Sequence, residues 1–169
     1  AAKALMLRGD PLLLVGPSAD TFAAHEGLDI VENGHFSTER RRKNLSSMKI
    51  RELVGTAGDA SEAEKHGTVG AVALDAAGHL AAATSTGGYT NKPVGRVGDS
   101  PIIGAGTYAR DGRCAVSGTG KGEYFIRYCV GHELASLIGY KGLGLEEASA
   151  AVLGELTAHR IGAGLVAID

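Results

Sequence analysis

His66-Gly67-Thr68-Val69-Gly70-Ala71-Val72-Ala73-Leu74-Asp75 is the stretch on which the reading of this chain turns. Before it the sequence is polar, charged and irregular. At Thr68 it becomes a strand, with Val69, Ala71 and Ala73 on one face and Gly70, Val72 and Leu74 on the other, because successive side chains of a strand alternate. Both faces are apolar or small, so both are expected to be covered. A flexible glycine directly before a strand-opening threonine leaves two readings of Thr68. It is either an ordinary strand residue or a nucleophile released as a new N-terminus by cleavage after Gly67.

Downstream, Ala76-Ala77-Gly78 reads as a hairpin turn, and the chain returns as a second strand over His79–Thr86. Gly87-Gly88 breaks that strand, and residues 89–100 form a polar loop. Two more strands are expected over Ile102–Ala109 and Arg113–Gly118, joined at Asp111-Gly112. A helix follows over Glu123–Tyr140, with Ile126, Val130, Leu134, Leu137 and Ile138 as its apolar face, and another over Leu145–Arg160. Ala163–Asp169 reads as a further strand. The order strand-strand-strand-strand-helix-helix-strand, with hairpins rather than alternation, predicts two stacked antiparallel sheets with helices outside.

Upstream, residues 1–9 read as the end of a helix, Leu12-Leu13-Leu14-Val15 as a short buried strand, and Pro17 onward as a helix stopped by Gly27. Arg40-Arg41-Arg42-Lys43 has the charge of a nucleic-acid patch. No aromatics are interleaved for base stacking, so a solvated helix capped by Ser37 or Thr38 is preferred. Gly55 to Lys65 is small, polar and acidic, and reads as a linker that ends at the His66-Gly67-Thr68 junction.

The 169 residues carry a formal net charge of -2, which provides no general attraction to nucleic acid or to an anionic membrane. No apolar run is long enough to span a bilayer, and a cytoplasmic location is expected. The two cysteines, Cys114 and Cys129, read as reduced core residues rather than a disulfide or metal pair. No metal and no cofactor are expected.

Four groups of residues have types suited to chemistry: Thr68; Thr84, Ser85 and Thr86 at the end of the neighbouring strand; Arg96 and Asp99 in the loop; and Ser117, Thr119, Gly120 and Gly122 where a strand turns into a helix. A threonine hydroxyl needs a base to take its proton. A free α-amine on the same residue, with an ordinary pKa of roughly 7.7–8.0, can serve. Yet threonine favours strands and glycine favours turns, so the pair alone is better read as structural. Arg96 offers a fork for a carboxylate and Asp99 an acceptor for an ammonium, although an isolated R-x-x-D is more often a surface ion pair. Thr119 and the Gly120 N–H could hold an oxyanion, or simply form a flexible turn. A phosphate-binding loop does not fit, because Ala115 and Gly122 stand where its glycine and its hydroxyl would have to be.

Taken together, H-G-T-V-G-A-V-A-L-D, A-A-A-T-S-T-G-G-Y-T-N-K, G-R-V-G-D-S-P, G-A-G-T-Y-A and S-G-T-G-K-G-E resemble the plant-type L-asparaginase/isoaspartyl peptidase family, whose members are N-terminal-nucleophile hydrolases. The resemblance runs through nearly all of 68–169 and more weakly over 11–67. It implies an α+β fold, a four-layer αββα sandwich of two largely antiparallel sheets flanked by helices. It also implies self-cleavage between Gly67 and Thr68, with Thr68 as both nucleophile and, through its amine, base. Thr86 matches the family's threonine beside the nucleophile, Arg96 its binder of the substrate α-carboxylate, and Asp99 its binder of the α-amine. Thr119 and Gly120 match the oxyanion-hole positions, and Gly122 a substrate-contacting glycine.

On this resemblance, residues 1–67 are the C-terminal part of an α subunit ending in a linker, and 68–169 are a β subunit shortened at its C-terminus, together one domain. The implied reaction is hydrolysis of L-asparagine and of β-aspartyl dipeptides, in an (αβ)2 assembly, with a small-molecule substrate as the only partner. Glycosylasparaginase shares the fold and the threonine, but usually has an acidic residue where this chain has Gly67. A non-catalytic scaffold or inactive fragment of the same fold is the reading from another class, and the intact set of Thr68, Thr86, Arg96, Asp99 and Thr119 argues against it.

Overall fold

The computed structural model describes residues 1–57 and 67–169. Most of the expected linker, from residue 58, and His66 lie outside the described residues. The chain divides into two compact units, Ala1–Ser47 and Met48–Asp169.

In the first unit, α1 (Ala2–Arg8) ends at Gly9 in the left-handed conformation. Helix α2 (Pro17–His25) has proline in its first turn, where the missing N–H is not needed. Arg8 pairs with Glu26 and lies 5.0 Å over the Phe22 ring. The buried strand expected at Leu12–Val15 does not form. Leu12, Leu13 and Val15 are exposed coil, and among the described residues no strand pairs with them; an unpaired strand leaves its backbone groups to water. Thr38, one of the two expected caps, accepts the Arg41 N–H at 3.2 Å and starts α3 (Glu39–Leu53). The basic run sits on this helix as a solvated face, with Lys43 paired to Glu39 one turn away.

The second unit holds the strands. The expected hairpin forms as β1 (Thr68–Leu74) and β2 (Leu80–Thr86), antiparallel and in register from Thr68 opposite Thr86 to Leu74 opposite Leu80. A three-stranded antiparallel sheet follows in the order β3 (Thr107–Arg110), β4 (Cys114–Gly120), β5 (Ala163–Ile168). The hairpin stacks on β4. Cys114, Val116 and Gly118 face helices, while Ala115 and Ser117 face the hairpin, so β4 is buried from Cys114 to Gly118.

Three helices cover the far side of that sheet: α4 (Gly122–Tyr128), α5 (Val130–Lys141) and α6 (Leu145–Ala158). Their apolar stripes, Phe125, Val130, Leu134, Leu137, Val152 and Leu156, form the core with Cys114 and Val116. Transfer of such side chains from water contributes about 1.5–3 kcal/mol each and is what holds helices to sheet.

Four expectations change here. The single helix over 123–140 is two helices, because Cys129 takes a left-handed conformation (φ 48, ψ 48) that ends one and starts the next. Cys129 is therefore exposed, and only Cys114 is a core residue. The strand over Ile102–Ala109 shrinks to Thr107–Arg110, because Asp99 carbonyl bonds to Ile102 and Gly106 curl the preceding residues into a loop. The outer face of the β1–β2 hairpin is not covered among the described residues: Val69 is 70% exposed, while Gly70 on the inner face meets Ser117. Small residues fill that outer face, but alternation of apolar types on a strand does not say which layers are present to cover it.

Candidate active site

The hairpin ends together at Thr68 and Thr86, which are register partners. The Thr68 hydroxyl donates to Thr86 Oγ1 at 3.2 Å, and the Thr86 hydroxyl donates to the Gly67 carbonyl at 3.3 Å. The Gly88 N–H in turn donates to Thr86 Oγ1 at 3.0 Å. The carbonyl before Thr68 and the hydroxyl of Thr68 thus share one neighbour, placed by strand pairing alone.

A small recess of about 10 Å³ is lined by Thr68, Thr86, Gly88, Tyr89, Arg96, Asp99 and Gly120. It brings five of the residues singled out from the sequence together, with room for little more than a water molecule. Arg96 and Asp99 are not a surface pair: Asp99 is 7% exposed, and the Arg96 side chain is largely buried. Arg96 is oriented from two sides. Its Nε donates to Glu123 Oε1 at 3.0 Å, and its guanidinium lies 4.6 Å over the Tyr89 ring. The Arg96 hydrogen bond is the main influence that holds the Glu123 carboxyl below its ordinary range, with burial opposing it.

Gly122 sits against the Arg96 and Asp99 side chains. A Cβ there would lie 2.5 Å from Asp99 Oδ1 and 2.8 Å from Arg96 Nη2, so only a bare backbone fits. Gly120 has φ 151, and a Cβ would lie 2.8 Å from the Gly162 carbonyl. Thr119, next to it, lies not in the recess but in a second cavity of about 310 Å³ between the sheets, lined also by Thr68, Gly70, Ser117, Leu165 and Val166. Thr68 borders both spaces. Thr68, Thr86, Arg96, Asp99 and Gly120 therefore converge on the recess, while Thr119 shares the larger cavity with Thr68, and Gly67 is exposed and lines neither.

A hydroxyl at a strand end, flanked by an arginine-carboxylate recess and a glycine turn, in this order along the chain, can be compared with known proteins. The family model described as Asparaginase matches residues 1–169. The chain belongs to this asparaginase family. It is 46% identical over 175 residues to an isoaspartyl peptidase of Escherichia coli (strain K12), covering 100% of this chain and 54% of that protein. It is 45% identical to the isoaspartyl peptidase of Salmonella typhimurium, covering 55% of it. A probable isoaspartyl peptidase/L-asparaginase 2 of Arabidopsis thaliana is 36% identical over 195 residues, which take in 99% of this chain and 58% of that protein. The chain spans about half the length of the curated relatives it matches.

The family resemblance read from the motifs is thus borne out, and so is its α+β fold of two antiparallel sheets with helices. Reading residue by residue missed Glu123 and Tyr89, the two side chains that orient Arg96. Both lie inside quoted motifs, S-G-T-G-K-G-E and T-S-T-G-G-Y-T-N-K, but neither spacing shows that residues 27 and 7 positions from Arg96 meet it. Among the described residues no helix is long and apolar enough to cross a membrane.

Proposed function

We propose that this chain carries the nucleophile half of an amidohydrolase that splits L-asparagine into aspartate and ammonia and also hydrolyses β-aspartyl dipeptides. The observation that carries the reading is the shared neighbour at the junction: Thr86 accepts from the Thr68 hydroxyl and donates to the Gly67 carbonyl. That arrangement suits an attack of Thr68 Oγ1 on the Gly67 carbonyl carbon. The Gly67–Thr68 amide bond breaks, the acyl group passes to the hydroxyl, and water hydrolyses the resulting ester. Thr68 is left with a free α-amine that serves as its base.

The same hydroxyl then attacks the substrate's side-chain amide. Arg96 takes the α-carboxylate as a bidentate fork and Asp99 the α-ammonium. In this reading Thr119, which borders Thr68 from the larger cavity, and the Gly120 N–H are the donors assigned to the developing oxyanion, where a fixed donor acts without reorganisation. The nitrogen leaves with a proton returned by the Thr68 amine, a β-aspartyl ester remains on Thr68, and water releases aspartate. The names of the relatives, isoaspartyl peptidase and isoaspartyl peptidase/L-asparaginase, support both substrate classes. In this reading residues 1–67 belong to the α piece and 68–169 to the β piece, the assembly is (αβ)2, and the compartment is cytoplasmic.

Intact mass measurement of the purified chain tests it. Two pieces divided at Gly67/Thr68, with ammonia released from L-asparagine, are expected. Thr68→Ala is expected to stay whole and inactive; turnover by that variant removes Thr68 as the nucleophile. An uncut wild-type chain that releases no ammonia removes the catalytic reading.

A further inference from the structure

Three hydroxyls outside the proposed catalytic set meet beneath the nucleophile. Thr84 lies two residues before Thr86 on the inner face of β2, opposite Gly70. Its Oγ1 is 2.6 Å from Ser117 Oγ on β4. Thr107 on β3 is the register partner of Ser117, and its hydroxyl also bonds Thr84 Oγ1. Ser117 is 4% exposed. The space it fills exists because Gly70 has no side chain: a Cβ there would lie 2.7 Å from Ser117 Cβ and closer still to its Oγ.

The cluster also reaches the loop that carries Asp99. Thr84 Oγ1 also lies within hydrogen-bond distance of the Gly106 carbonyl, at 3.3 Å, and Thr107 Oγ1 of the Ser100 carbonyl, at 3.2 Å, so each hydroxyl shares its one proton between a carbonyl and a neighbouring hydroxyl. The Gly118 N–H donates to the same Gly106 carbonyl at 2.8 Å, and the Gly106 N–H donates to the Asp99 carbonyl at 3.2 Å. Gly106 is the floor under the Asp99 side chain, since a Cβ on it would lie 3.0 Å from Asp99 Cγ. One node therefore joins three segments: the strand of Thr86, the strand of Thr119, and the loop of Asp99.

We propose that Thr84, Ser117 and Thr107 are positioning residues that set the distance between the nucleophile and the Asp99 ammonium site. Hydroxyls with mutual partners favour one arrangement because displacement takes the buried Ser117 hydroxyl away from its Thr84 partner. Among the described residues the hairpin and the second sheet share no backbone hydrogen-bond ladder. Side-chain bonds of this kind hold their relative register, and Asp99 follows through Gly106.

The proposal's catalytic consequence rests on the reading above, so its test has one arm that needs no turnover. In Thr84→Val, which keeps the shape and removes the hydroxyl, amide hydrogen exchange at Gly106 and Gly118 is expected to speed by about tenfold or more, and in Thr84→Ser to stay as in wild type. Thr107→Val is the second variant should Thr84→Val not fold. Unchanged exchange at those two amides overturns the node.

The second arm compares L-asparagine with succinamic acid, which lacks the α-ammonium. Thr84→Val is expected to raise KM for asparagine by about tenfold and to affect succinamic acid less. Equal losses on both substrates overturn the link to Asp99. Faster exchange in Thr84→Val alongside a wild-type chain without turnover leaves the node standing and removes the proposed reaction.

Discussion

Thr68 and Thr86 face each other across the first rung of the β1–β2 hairpin, hydroxyl to hydroxyl at 3.2 Å, and Thr86 also reaches the Gly67 carbonyl. Strand register alone holds this pair, so it survives as long as the hairpin does. Thr86→Val keeps the β-branched shape and removes both bonds, together with the acceptor of the Gly88 N–H. Cleavage at Gly67/Thr68, followed by gel or intact mass over time, is expected to slow by on the order of 10²-fold, the usual scale for loss of one positioned hydrogen-bond donor. Thr86→Ser is expected to stay within about tenfold of wild type. Equal cleavage rates for Thr86→Val and wild type contradict the role assigned to Thr86.

Glu123 holds Arg96 by its Nε, and Tyr89 lies under the guanidinium. Glu123→Gln keeps the geometry but removes the charge, and is expected to raise KM for asparagine several-fold with a smaller change in kcat, because it disturbs binding rather than the bond-breaking step. The pH dependence has a definite sign. Arg96 lowers the Glu123 pKa from an ordinary value of about 4.3, so the clamp's contribution is present above that value and is lost as pH falls through the depressed one. Acid titration of wild type and Glu123→Gln by thermal melting checks this: the gap between them is expected to close only below about pH 4.3.

Gly70 and Ser117 occupy one space. Gly70→Ala is expected to destabilise the second unit by about 1–3 kcal/mol, the ordinary cost of overpacking. Ser117→Gly in the same chain is expected to recover part of that loss, and chemical denaturation of the four members of the cycle measures the coupling. Purely additive effects contradict the close approach.

The tips of the two hairpins are tied by Asp111. Its carboxylate accepts the Leu80 N–H at 2.7 Å and faces His79 Nδ1 at 2.9 Å. The Leu80 N–H and then His79 lower its pKa. A carboxylate with a depressed folded pKa stabilises above its unfolded value and loses that contribution as pH falls, here below about 3.9. Asp111→Asn is expected to flatten the acid limb of the stability profile over that window. The tie is exposed, so high salt is expected to weaken it. An unchanged acid limb in Asp111→Asn removes the tie as a stability element.

Most strands, both early helices and the family itself were legible along the chain. Strand periodicity, the Ala76–Gly78 turn and Asp111-Gly112 placed the β1–β2 hairpin within a residue and the turn between β3 and β4, since these signals are local, while β3 starts five residues later than its periodicity suggested. The five motifs carried the family because their order is specific even where each alone is weak. Two kinds of feature escaped. The left-handed break at Cys129 divides a continuous apolar periodicity, and cysteine carries no local signal for it. The Leu12–Val15 run looked like a strand because apolar runs mark burial only where a partner exists.

The sequence by itself determined the strand-opening threonine, the glycine before it and the ordered set of Thr86, Arg96, Asp99, Thr119 and Gly120, because alternation, turn chemistry and motif order are properties of a single chain. Tertiary structure alone decided that Thr86 meets both Thr68 and the Gly67 carbonyl. It alone buried Arg96 and Asp99, which an isolated spacing reads as a surface pair, and gave Arg96 its partners Glu123 and Tyr89. The reason is physical: register, burial and the approach of one sheet to another are set by contacts between residues tens of positions apart, and no local pattern encodes a distance.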